Sequence, residues 1–140
     1  VEVSALYSLP SHHPIKEGKM YCTDCHNPHG TSNPKQLNRM TEKETCGRCH
    51  TEKTGHFLFE HGDVTEECSN CHAPHGSINN NLLKQKEAFL CRQCHAKHSS
   101  TTLSSSKMYN IRCTDCHSMI HGSDTPGANA GSTGGGSFTR

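Results

Sequence analysis

Tryptophan is absent from this 140-residue chain, aromatic residues make up only 5% of it, and hydrophobic residues of every kind only 30%. Ten of those hydrophobic residues are cysteines, so material for a protein core is scarcer still. A protein-only fold of this composition would lie close to disorder or depend on covalent staples. No apolar run approaches the length that spans a bilayer, so no transmembrane segment is expected. No signal peptide is visible either, and that absence is read as removal. The formal net charge is +1 with histidines neutral, which provides no basic stripe for nucleic acid.

What the chain has in excess is cysteine, ten residues, and histidine, thirteen. Every cysteine falls in one of five copies of C-x-x-C-H: Cys22 to His26 with Cys25, Cys46 to His50 with Cys49, Cys68 to His72 with Cys71, Cys91 to His95 with Cys94, and Cys113 to His117 with Cys116. On one helical turn, positions i, i+3 and i+4 share a face. Two thiols can then reach the two vinyl groups of a porphyrin edge while the histidine addresses its iron. This is the attachment signature of c-type haem, so the chain is expected to carry five haem c groups.

Zinc is the main rival, because the gaps from Cys25 to Cys46, Cys49 to Cys68, Cys71 to Cys91 and Cys94 to Cys113 lie in or close to the zinc-ribbon range. With histidine at this abundance, one directly after all five pairs arises by accident with odds of roughly 10⁻⁵, and a four-cysteine zinc site has no use for it. Thioredoxin-type redox chemistry and plain disulfides leave it equally unexplained. Haem also resolves the poverty of the core, since five flat apolar macrocycles supply the buried surface that the side chains lack.

The motifs sit in an internal repeat. Cys22, Cys68 and Cys113 are 46 and 45 residues apart, Cys46 and Cys91 are 45 apart, and His29, His75 and His121 are each followed by glycine at intervals of 46. The reading is a single pentahaem domain: two-haem repeats at 22–67 and 68–112, a half repeat at 113–123, and a glycine-rich tail at 124–140. Thr41-Glu42-Lys43-Glu44 carries a capping box ahead of Cys46, and Asp63 with Glu66 is a similar candidate ahead of Cys68. Residues 81–95 are the best helix candidate, with a more polar counterpart at 35–50. Val1, Val3 and Ala5 alternate in the manner of a strand. The expected fold class is a multihaem cytochrome c, mostly loops and short α-helices wrapped around a haem chain, with almost no β-sheet.

His26, His50, His72, His95 and His117 are the expected proximal iron ligands. Eight histidines remain for five opposite faces. Two sets recur: His29, His75 and His121, each before glycine, and His13, His61 and His98, each upstream of a haem turn. Pro14 biases His13 toward extended chain, suited to presenting its ring sideways. These six exceed five sites, so at least one is surplus, serves a neighbouring chain or loses its place to His12. His56 has no close counterpart and is read as structural. Methionine ligation by Met20, Met40, Met108 or Met119 is set aside with so many histidines to hand, and bis-histidine ligation implies low potentials.

With these motifs in place the chain resembles the paired-CXXCH multihaem cytochromes, especially the C-terminal five-haem half of the decahaem cytochromes of extracellular electron transfer. The resembling stretches run from Leu9 to Gly30, through Phe59 to His61, Cys68 to Ser77 and Phe89 to His95, to Cys113 to Ser123. The resemblance implies a haem chain that conducts electrons across or out of the cell envelope, with redox proteins or extracellular acceptors as partners. It places the chain outside the cell or at its surface, with the periplasm as alternative, because covalent haem attachment in such proteins takes place outside the cytoplasm. Similar small multihaem proteins polymerise into extracellular filaments, so self-association is expected. Competing roles are a soluble periplasmic shuttle and a multihaem oxyanion reductase. The reductase needs an iron with an open position, which five complete motifs and surplus histidines argue against, so no enzyme activity is expected.

Overall fold

The computed structural model of the chain describes residues 2–62, 66–95, 111–115 and 117–124. The capping pair at Asp63, residues His98, Met108 and Cys116, and the tail beyond Asp124 lie outside the described residues. Regular structure is sparse. The described residues hold the short helices α1 (Val3–Leu6), α2 (Glu42–Gly47) and α3 (Glu87–Cys91) and the strands β1 (Phe59–Glu60) and β2 (Gly122–Ser123) of a two-stranded sheet, among 3-10 turns and loops. This is the architecture of a multihaem cytochrome c, as the sequence predicts. No helix among the described residues is long and apolar enough to cross a membrane.

The chain forms two compact units, the first from 1–56 with 62–84 and the second from 57–61 with 85–140. In the first unit the loop after each odd-numbered haem turn folds back onto it in the same way twice. His26 bridges Leu37 and His72 bridges Leu83. Asn27 N–H donates to Gln36 O (2.8 Å) and Ala73 N–H to Leu82 O (2.7 Å). These foldbacks curtail the helices expected at 35–50 and 81–95, which survive only as α2 and α3. Gln36, Asn81 and Leu82 take left-handed backbone angles, φ +52°, +56° and +57°, to aim their carbonyls at the haem turns. At the N-terminus the expected strand is instead α1, short enough that alternation at three positions could not tell the two apart.

The capping box at α2 forms as read: Thr41 Oγ1 accepts from Glu44 N–H (3.1 Å), and Glu44 accepts back from Thr41 N–H (3.3 Å). In the second unit β1 and β2 pair antiparallel, Phe59 opposite Ser123 and Glu60 opposite Gly122.

Leu37 and Ala88 are the only buried hydrophobic side chains among the described residues. Tyr21, Met40, Leu58 and Ile78 stand largely in solvent, exposed by 65%, 70%, 73% and 76%. Two aliphatic side chains cannot offset the conformational entropy of ordering this many residues. Side-chain packing alone therefore does not supply this fold with a core.

Candidate haem-binding site

All five C-x-x-C-H motifs make the same turn. The N–H of the histidine donates to the carbonyl of the first cysteine in each, His26 to Cys22 (2.9 Å), His50 to Cys46 (3.0 Å), His72 to Cys68 (3.0 Å), His95 to Cys91 (3.0 Å) and His117 to Cys113 (2.8 Å). The first, third and fifth are 3-10 turns, while the second and fourth continue from α2 and α3. That alternation is the two-haem repeat expressed in backbone geometry. Each turn places its first thiol and its histidine on one face, four residues apart.

The rings meet in pairs. His26 lies 5.9 Å from His75, His13 6.2 Å from His50, and His61 5.8 Å from His95, centre to centre, with ring planes 34°, 59° and 37° apart. An iron bonded at about 2 Å by the rings of one pair, with each ring centre about 1 Å behind its nitrogen, would set the ring centres roughly 6 Å apart. All three spacings fit an iron between the rings. In each pair one member is the histidine of a C-x-x-C-H motif and the other is one of the recurring distal candidates.

Four ring histidines are oriented by backbone carbonyls, to which Nδ1–H donates: His26 to Lys35 O (2.9 Å), His72 to Asn81 O (2.7 Å), His13 to Pro74 O (2.7 Å) and His61 to Ile120 O (3.1 Å). A carbonyl only accepts, so each bond fixes the proton on Nδ1 and thereby the tautomer whose Nε2 is the basic nitrogen, the one a metal would take. Here the left-handed residues find their purpose, since Lys35 O and Asn81 O belong to the foldbacks that Gln36 and Asn81 turn. Burial, then the neighbouring His26 and His13, hold the His75 imidazole below its ordinary pKa, in the neutral form a metal requires. Tyr7 stands edge-on to His75 at 6.0 Å.

His12 is placed differently. Its Nδ1–H donates to Leu9 O (2.5 Å) and its Nε2 meets Glu17 (3.1 Å), so both nitrogens are engaged. His29 is exposed, His121 is half-buried, and His56 lines a surface cavity.

Neighbouring attachment points adjoin. The Cys46 and Cys68 thiols hydrogen-bond each other, which pushes Cys46 up and Cys68 down to about 7. Burial, then Asp24 and the nearby Cys49, raise Cys25. Thioether formation would abolish all three titrations. A cavity of about 950 Å³ in the first unit has Leu37 and Met40 on its wall with both basic (Arg39, Lys43, Arg48) and acidic (Glu44, Glu66) side chains around it, and none of the described cysteines or motif histidines lines it.

One feature had no sequence signal beyond the repeat itself. Glu42, at the start of α2, accepts from the Ser69 N–H and hydroxyl (both 2.7 Å) and from Lys35. Glu87, at the start of α3, accepts from the Thr114 hydroxyl (2.9 Å) and N–H (3.3 Å), with Arg112 at 3.5 Å. Each carboxylate ties a helix leading into one haem turn to the second residue of the next haem turn. The spacing of Glu42 and Glu87, and of Ser69 and Thr114, repeats that of the cysteines, which is how the pairs could have been found.

Comparison with known proteins bears on the same residues. The family model of the doubled CXXCH motif matches residues 12–55 and 61–100. A multiheme cytochrome MtrA from Shewanella baltica (strain OS185) is 47% identical over 129 residues, covering 83% of this chain and 39% of that protein. The chain thus spans about two-fifths of the relative's length.

Proposed function

Because the chain belongs to the doubled-CXXCH family, as a multihaem c-type cytochrome of the MtrA type, we propose that it carries five covalently attached haems, each clamped between two histidines, and passes electrons along them. Electron transfer through c-type haems is the activity of the family. The haems supply the redox chemistry when bound. The chain's own residues set their spacing, ligation and exposure to solvent.

The observation that carries the reading is the set of three ring pairs, at 5.9, 6.2 and 5.8 Å. Each joins a motif histidine to one from another part of the chain, as six-coordinate iron demands. We assign His75, His13 and His61 as the distal partners of His26, His50 and His95. His121 and His98 are the remaining distal ligands, and His72 and His117 the remaining proximal ones. His12 is left out, because Leu9 and Glu17 occupy its nitrogens. The contact of Cys46 with Cys68 supports close approach of the second and third haems. Contact between edges, with no open coordination position, suits conduction and leaves a reductase without a place for substrate.

The single pentahaem domain belongs to this proposal, as does its setting. We place it outside the cytoplasm, as an extracellular or periplasmic conduit with redox proteins or extracellular acceptors as partners. The surplus of histidines over axial positions favours self-association, up to a filament.

Pyridine haemochrome quantitation against protein mass, followed by redox titration, tests the core of this reading. Five haems per chain titrating at low potential are expected. Fewer haems, or a stable iron with exchangeable water, would contradict it. Electron microscopy of the native protein decides the filament.

A further inference from the structure

We propose that Glu42 and Glu87 are positioning residues of the electron path: each carboxylate braces two successive haem turns against one another, the second against the third and the fourth against the fifth, and its charge lowers the potential of the two haems so joined. The proposal rests on the five-haem reading above. Glu42 lies four residues before Cys46 and Glu87 four before Cys91, so carboxylate and first cysteine share a face of α2 and of α3. Ser69 and Thr114, which the carboxylates hold, directly follow Cys68 and Cys113.

Both braces have one construction. Glu42 Oε2 accepts from the Ser69 N–H and Oε1 from the Ser69 hydroxyl (both 2.7 Å), so both oxygens are engaged by one residue. Glu87 Oε2 accepts from the Thr114 N–H (3.3 Å), and both its oxygens face the Thr114 hydroxyl (2.9 and 3.1 Å). A base closes each group into a triangle. Lys35 Nζ donates to the Ser69 hydroxyl (3.0 Å) and to Glu42, while Arg112 donates to the Thr114 hydroxyl (3.3 Å) and lies 3.5 Å from Glu87. The bases come from different places in the repeat, Lys35 from ahead of α2 and Arg112 from the residue before the fifth haem turn. The same triangle is thus assembled twice from different parts, which singles out the arrangement itself.

Helix capping does not account for it. At α2 that work falls to Thr41 and Glu44, while Glu42 turns both oxygens to a residue 27 positions on. What the carboxylate joins are two attachment points: from Cys46 to Cys68 the bridge is one helical turn, Glu42 and Ser69, and the two cysteine side chains hydrogen-bond each other at its far end. Electron tunnelling weakens roughly exponentially with separation, so a bridge this short, made where the haems attach, controls the step between them. The side chains of Glu42 and Glu87 are only 10% and 12% exposed, so water and salt screen their charge little. A negative charge so placed favours ferric over ferrous iron and lowers the potential on either side of it.

The test uses the haem-loaded chain and compares wild type, E42Q, E42A, E87Q and E44Q by spectroelectrochemical titration and by electron paramagnetic resonance of the oxidised protein. E42Q keeps the side chain's length and removes its charge. E44Q breaks the cap of the same helix without touching the next haem turn. We expect E42Q and E87Q each to keep every haem low-spin and to raise the potential of two haems, a different two in each, while E44Q titrates as wild type. E42A, which also loses the bonds to Ser69, should in addition change the magnetic coupling between two of the low-spin signals. Titrations of E42Q and E87Q that superimpose on wild type would overturn the proposal. So would E44Q shifting the same haems as E42Q, or coupling unchanged in E42A. The two braces are independent copies, so where a variant of one fails to load haem, the other decides. A wild type without five low-spin haems would instead strike the reading beneath the proposal.

Discussion

At the scale of single residues, ligation is a matter of which nitrogen is left over. His13, His26, His61 and His72 spend Nδ1 on a carbonyl, which puts the basic lone pair on Nε2. His12 keeps neither nitrogen free. Alanine at His13, His61 or His75 is therefore expected to turn one haem each to high spin, with alanine at His12 turning none, as electronic spectra of the oxidised proteins will show. Glu42 makes a second residue-scale prediction. Burial alone would raise its carboxyl, but hydrogen bonds from Lys35 and Ser69 outweigh it and hold the group below the ordinary carboxylate range. A depressed folded pKa means the stability it contributes is present above the unfolded value and is lost as pH falls through the folded one. Glu42→Gln is expected to cost about 1–3 kcal/mol at neutral pH. The gap from wild type should close in acid, below about pH 4. Chemical denaturation at a series of pH values measures both.

Elements are stabilised here by close backbone approach more than by side-chain packing. Gly122 admits Phe57, so Gly122→Ala is expected to lower stability by about 1–3 kcal/mol and to disturb the haem proposed for His61, whose ring bonds Ile120 O. Gly62→Ala, with open space around it, is the control and should be near neutral in thermal melts. These elements also mark where the sequence stops being readable. The haem turns were legible outright, because two thiols and a histidine on a single turn have one chemistry that uses all three. The capping box at Thr41 was legible too, being local. The helices at 35–50 and 81–95 were over-read, since nothing local says that Gln36, Asn81 and Leu82 abandon helical angles to give carbonyls to His26 and His72. The ring pairs were half-legible. Recurrence singled out His13, His61 and His75, but which motif each faces depends on contacts between parts of the chain far apart in sequence. The Glu42 and Glu87 ties went unread, because a carboxylate opening a helix has a sufficient local reason to be there.

At the scale of the whole molecule, the decisive fact is how little protein is inside the protein. Leu37 and Ala88 alone are buried apolar side chains among the described residues, while large hydrophobic ones stand in the open. Folding is thus expected to depend on haem. A variant with all ten cysteines changed to alanine should show no cooperative thermal unfolding by circular dichroism, whereas the loaded protein should melt sharply. The central claim, that each iron is held between two imidazoles, is tested most directly by the spin state of all the iron in the oxidised protein, counted against iron per chain by electron paramagnetic resonance. The account predicts five irons per chain, every one low-spin. A high-spin ferric signal amounting to one iron or more, or zinc in place of iron, would contradict it.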